Sequence, residues 1–236
     1  MVIGTSLQRS DNAVTLQIVL STTVVPSATD ATNTYLWKSY TGGFGATFSS
    51  SVTWNILRQP SPTVEWHEVV WFREEISRCS FITWLSMLRR RPTKDRLISW
   101  GLAVPDMCVL CSSQVESHQH LFFECSYAGA IWSKFCGRFI ISPPSDLSAA
   151  VSMCLNYQGT YSLQVRVVMK LIVQVIVYFL WRERNGQIFR EISHQPMVFF
   201  KMVDQQIRDI LLSLSPGQND AHSLLELYFW FIDLFS

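Results

Sequence analysis

A mostly α-helical fold is predicted for this chain: short helices around a compact loop rich in cysteine and histidine, followed by a C-terminal helical bundle. Three observations predict it. Apolar residues recur at helical spacing through the second half of the chain. Pro92, Gly101, Pro143, Pro144 and Pro196 stand at the ends of those periodic stretches. Three of the six cysteines crowd into one short segment, Cys108, Cys111 and Cys125, with His118 and His120 between them.

Taken in order, residues 1 to 33 are rich in Ser, Thr and Ala with few large anchors, which predicts a flexible N-terminal tail. From Tyr35 to Phe72 aromatics are dense, and Gly42, Gly43, Gly45, Pro60 and Pro62 punctuate them. Ser49 to Ser51 are placed to cap a short helix through Arg58. Val64 to Trp71 fits either an extended segment or one short helix. Residues 74 to 91 read as a helix with Ile76, Phe81, Trp84, Leu85 and Leu88 on one face, stopped by Pro92. Thr93 should cap a helix through Trp100, with Gly101 in the C-cap position. Leu121 to Phe139 reads as a single helix burying Leu121, Phe122, Cys125, Ile131, Trp132 and Phe135. Pro143 and Pro144 break the chain, and helices follow over 147–155, 163–192 and 197–214, with a last aromatic helix at the end. The expected organisation is a tail (1–33), a central domain (34–139) with its metal loop at 105–126, and a helical region (140–236).

With 48% hydrophobic, 13% aromatic and only 16% charged residues, the chain of 236 residues is poor in charge for a globular protein. This excludes a disordered chain and suggests sticky surfaces. A net charge of +1 means that attraction to nucleic acid must come from a local patch. The most apolar stretch, Val167 to Trp181, is about 15 residues long and holds Lys170 and Gln174, whereas a membrane span needs ~20 apolar residues. A buried helix, and no membrane association, is expected. No convincing secretory signal precedes the cysteines, so a reducing compartment, nuclear or cytoplasmic, and metal binding rather than disulfides are expected.

The cysteine cluster reads Cys108-Val-Leu-Cys111, then His120, then Cys125. A C-x2-C turn places two thiolates on one side of a tight loop, and a downstream H-x4-C supplies two further ligands. Zinc prefers four such ligands in a tetrahedron, and three Cys with one His close the shell, which predicts one structural zinc ion. His118 is the alternative fourth ligand; His120 is preferred because it directly precedes the apolar anchor Leu121-Phe122-Phe123. Small buried cysteines packed as hydrophobes are the competing reading. Cys79, Cys136 and Cys154 are expected in the core.

Beyond these local readings, an ordered set of motifs resembles the reverse transcriptase zinc-binding domain of plant LINE-type (non-LTR) retrotransposon proteins. It comprises Trp84-Leu85, Thr93-Lys94-Asp95-Arg96-Leu97 with Trp100-Gly101, Cys108-x2-Cys111, Glu116-Ser117, and His120-Leu121-Phe122-Phe123-Glu124-Cys125 with Trp132. Trp54, Trp66, Val70-Trp71 and Phe81 upstream, and Trp181-Arg182-Glu183-Arg184-Asn185 with Phe189 downstream, extend the likeness over roughly residues 35 to 190. Arg91 stands where that family usually has Leu. The resemblance implies zinc on Cys108, Cys111, His120 and Cys125 and an accessory nucleic-acid-binding role beside a polymerase.

Catalytic signatures are missing from the sequence. It has no Asp-Asp pair of the kind that holds two metal ions for phosphoryl transfer, no Gly-rich phosphate loop, no Gly-x-Ser-x-Gly elbow and no His-Glu-x-x-His. A non-catalytic module, a fragment or stand-alone descendant, is expected. Arg89, Arg90, Arg91, Lys94 and Arg96, opposed only by Asp95, are the candidate phosphate contacts, with RNA or DNA as partner. The plainer reading is a solvated helix end, where cations are favourable. A second basic group, Arg182, Arg184 and Arg190, is expected on an ordinary exposed face, and Trp132 and Trp181 in the core. The alternative function is a zinc-stapled structural module docking onto a reverse transcriptase or another protein.

Overall fold

The computed structural model describes residues 11–22, 35–58, 61–136, 140–159, 161–214 and 223–232. They are mostly helical and fall into two compact units, Met1–Pro62 and Thr63–Ser236. Packing therefore divides the chain near Pro62, not at 33/34 and 139/140. The reason is a shared core: residues from 63–139 and from 140–236 bury the same apolar surface.

In the first unit, part of the expected tail is helix α1 (Asp11–Thr22). Its last turn is closed by Ser21 and Thr22 hydroxyls bonding back to the Ile18 carbonyl. The rest of 1–33 lies outside the described residues. A short antiparallel pair follows, β1 (Trp37–Lys38) and β2 (Phe44–Gly45), with Trp37 opposite Gly45 and Lys38 opposite Phe44. Gly42, at φ +82°, supplies the left-handed residue its turn needs. Helix α2 (Ser50–Leu57) starts where expected, with the Ser49 hydroxyl accepting from Val52 N.

The second unit is organised by one long helix. Its elements are α3 (His67–Val70), α4 (Ser77–Met87), α5 (Lys94–Ser99), a π-helical turn (His120–Glu124), α6 (Ser126–Lys134), α7 (Leu147–Asn156), α8 (Ser162–Arg190), α9 (Pro196–Ser213) and α10 (Leu224–Ile232). Helix α8 packs against α3, α4, α6, α7, α9, α10 and the π-turn. This explains why it is apolar almost all round. Its 29 residues agree with the helix expected over 163–192; it is long and apolar enough to cross a membrane, yet 67% of its apolar window is buried inside the fold.

Gln174 interrupts that apolar surface for a structural reason. Its amide donates to the carbonyls of Val69 and Val70, at 2.9 and 2.8 Å, and so satisfies the end of α3. Gln174→Leu keeps the volume but strands both carbonyls. A loss of about 1–3 kcal/mol is expected in urea unfolding, and a cost near zero would show that water replaces the amide.

Helix α4 buries a different face from the one expected. Phe81 is exposed and Ile76, Trp84, Leu85 and Leu88 are only half-buried, while Cys79, Ser80, Thr83 and Ser86 are fully buried. Small side chains let the backbone of α4 come close to α8, and the Ser80 and Ser86 hydroxyls bond back to their own helix. Polarity alone pointed to the wrong stripe because these hydroxyls carry their own acceptors.

Candidate metal centre and basic segment

The metal loop is built by local backbone geometry. Cys108 N donates to Gln114 O, Ser112 N donates to Cys108 O, and Met107 bridges Val115 across the loop. Ser112, at φ +53°, turns the chain back after Cys111. Cys108 and Cys111 thereby face the same side.

The second pair of ligands comes from a broken helix. A single helix is expected over 121–139; among the described residues, 121–136, the chain is instead broken at Cys125, and 137–139 lie outside them. His120–Glu124 winds as a π-turn closed by Cys125 N to His120 O at 2.8 Å, Cys125 is extended (φ −63°, ψ 131°), and α6 starts after it. In an α-helix, residues five apart point about 140° apart. The wider turn and the extended Cys125 bring His120 and Cys125 back to one side. Two contacts hold this shape: the Ser117 hydroxyl accepts from His120 N, and the buried Trp132 indole donates to Phe122 O. All six residues expected to be buried in this segment are buried.

The four ligand atoms of Cys108, Cys111, His120 and Cys125 lie within 4.8 Å of one another. The Cys108 and Cys125 sulfurs are 4.0 Å apart, and Cys111 Sγ is 3.3 Å from His120 Nε2. Tetrahedral ligands at about 2.3 Å from zinc stand about 3.8 Å apart. The donor set and spacing fit one structural zinc ion with no coordination position left for water.

Two of the three thiols, Cys108 and Cys111, are held below the usual thiol range, and Cys125 is held above it. Cys108 and Cys125 compete for one proton: the hydrogen bond from Cys125 brings Cys108 down to about 6, and the same contact, with burial, drives Cys125 up. Burial works against ionising Cys111, but hydrogen bonds from Ser113 and His120 outweigh it and hold it below the usual thiol range. A bound Zn2+ removes this competition by stabilising every thiolate. In contrast, burial pushes Cys79 and Cys154 up to about 12, as for inert core thiols.

His118 is not in the cluster. Its ring packs edge-on against Phe122 at 5.0 Å. Burial first, then Arg89, holds its imidazole down at about 4. Its Nε2 is buried without a hydrogen-bond partner.

The five basic candidates have different fates. Arg89 and Arg90 are exposed, and neither forms an ion pair among the described residues. Arg91 is drawn inward, its guanidinium 3.9 Å above the Trp181 ring, and burial lowers its pKa to about 10. Trp181 thus offers a face that an apolar side chain would also cover, which accounts for an arginine at this position. Lys94 donates through Nζ to Met107 O, and Arg96 lies over Trp100 at 5.1 Å.

Glu116 ties this segment to the metal loop. Thr93 makes no side-chain cap; instead the Glu116 carboxylate accepts from Lys94 N at 2.9 Å and the Glu116 carbonyl accepts from Asp95 N. The same carboxylate pairs with Arg184 of α8 at 2.8 Å. Arg184 is therefore buried, not on the exposed face expected, whereas Arg182 and Arg190 are exposed. The helical stripe Val177, Leu180, Trp181, Arg184 was the signal for this, because positions i and i+7 share a face. Glu183 is buried as well, holding His194 through its backbone N and Nδ1.

Residues 48–132 match the family model described as zinc-binding in reverse transcriptase. The match covers well under half of the chain, and it contains all four ligands, the basic segment and Glu116. No curated protein and no solved structure matches the chain. Family match and ligand geometry agree on a zinc-binding module.

Proposed function

We propose that this chain is a non-catalytic module derived from the C-terminal region of a reverse transcriptase of plant LINE-type (non-LTR) retrotransposons, and that it binds single-stranded RNA or DNA. The observation that carries the reading is the anchoring of the basic segment to the metal loop. Glu116 holds the backbone of Lys94 and Asp95, and Lys94 reaches the Met107 carbonyl, while Arg89 and Arg90 face solvent. Zinc then fixes a short cationic edge in place, and its closed shell suits a structural rather than a catalytic ion.

The test is fluorescence anisotropy with a single-stranded oligonucleotide at several salt concentrations. Changing Arg89 and Arg90 together to Glu should weaken binding at least tenfold. It should also flatten the log–log salt slope by about 1.4, the value for two lost phosphate contacts on a single strand. Zinc content, measured alongside, separates lost contacts from lost fold. No binding by the unmodified chain at low salt rejects the reading.

A second reading is favoured by the first unit, whose Tyr35, Tyr40, Phe44 and Trp54 are all more than half exposed. Such a surface suits a zinc-stapled module docking onto a reverse transcriptase or another protein. A salt-insensitive complex retained by the Arg89/Arg90 variant would favour it.

A further inference from the structure

A cleft of about 760 Å³ opens beside the metal loop, between the end of α4, α5, the segment before the π-turn and the start of α7. Arg89 and Arg96 line it, as does His118, which is only 8% exposed and whose Nε2 has no hydrogen-bond partner among the described residues. The Arg96 Nε is likewise buried and unpartnered. Buried polar groups are normally satisfied, so an unpaired pair at the wall of one cleft marks a place where a ligand completes the bonding.

The rest of the wall selects the ligand. Trp66, Met87, Leu147 and Val151 provide an apolar and aromatic side, and Glu65, Asp95 and Asp146 place acceptors around it. A bare anion would meet those carboxylates unfavourably. A nucleotide carries a phosphate for arginine, a flat ring for an aromatic surface, and amino groups for carboxylate or imidazole acceptors. The volume is also that of a small-molecule site, far more than one phosphate needs.

We infer that this cleft holds one nucleotide of a bound single strand, with its phosphate on Arg89 and Arg96 and its base edge towards His118. This rests on the nucleic-acid reading above and adds to it a defined pocket in place of diffuse surface charge. Arg90 provides the comparison: it belongs to the same exposed basic run and contributes one surface phosphate contact, but it does not line the cleft, so its loss should cost less than that of a cleft arginine.

The experiment uses the full zinc-loaded chain and a labelled single-stranded oligonucleotide, with zinc content and circular dichroism recorded for each variant. Arg89→Gln and Arg96→Gln should each weaken binding about tenfold or more, and Arg90→Gln less than threefold, although each removes one charge. A nucleoside monophosphate should compete with the oligonucleotide at concentrations where inorganic phosphate does not. Equal losses for all three variants would overturn the cleft while leaving nucleic-acid binding intact. Equal competition by phosphate would overturn the nucleotide assignment and leave an anion site only. No binding by the unmodified chain would reject both readings. Arg89 is exposed, so its variant should fold even if Arg96→Gln does not.

Discussion

Replacing Cys108 and Cys111 with Ser is expected to unfold the whole Thr63–Ser236 unit rather than loosen one loop. Cys108 and Cys125 belong to the same buried cluster as Leu121, Phe122, Trp132 and the apolar face of α8. The ligand loop is thus part of the core. A structural zinc contributes an apparent ~10–16 kcal/mol in small fingers, while whole domains are stable by only ~5–15 kcal/mol. Losing the ion should therefore consume most or all of the net stability. Metal analysis should find one zinc per chain, absent from the double variant, and the far-UV thermal transition should disappear or fall by tens of degrees. Prolonged chelation of the unmodified chain should reproduce this. Cys136→Ser, away from the cluster, should keep its zinc. A zinc-free chain with an unchanged transition would mean that the four residues merely pack.

The second large effect is expected at Glu116. Both side chains of the Glu116–Arg184 pair are almost fully buried, at 0% and 3% exposure, and the guanidinium reaches the carboxylate through Nε and Nη2. Removing one partner leaves a buried charge without compensation, so Glu116→Ala or Arg184→Ala should each cost about 3–5 kcal/mol. Glu116→Ala should sit at the upper end because it also uncaps α5 at Lys94 N. The double variant Glu116→Gln with Arg184→Met should cost far less than the sum of its single changes, since neither residue then carries an unpaired charge. A complete cycle by urea unfolding checks this, and a single-variant cost below about 1 kcal/mol would show that water reaches the pair. Oligonucleotide affinity should fall with Glu116→Ala even where the fold survives, because the link between the metal loop and the basic segment is gone.

Much of the fold is readable along the chain because its signals are local. Ser49 caps α2, Pro196 opens α9, and Gly101 closes α5 with Leu102 N bonding to Leu97 O, all within one or two turns of the residue responsible. The ligand set is readable for a similar reason: two short spacings of Cys and His already limit which atoms can meet at one ion.

What needed the tertiary structure was whatever depends on a distant partner. The spacing of His120 and Cys125 does not announce a π-turn; the turn is held by Trp132 and Ser117 and fits the demand of the metal cluster. The buried face of α4 depends on how closely α8 approaches, which favours small hydroxyl-bearing residues over the larger apolar ones beside them. Arg184 carries the same charge as exposed Arg182, two residues away. Only Glu116, arriving from 68 residues upstream, makes its burial tolerable. Ligand chemistry, the starts of α2 and α9 and the end of α5 were thus settled by neighbours in sequence, whereas the start of α5 waited for Glu116 and the end of α3 for Gln174. The choice of buried face, the break at Cys125 and the fate of each charge were settled by packing, because desolvation depends on what the fold places opposite a side chain.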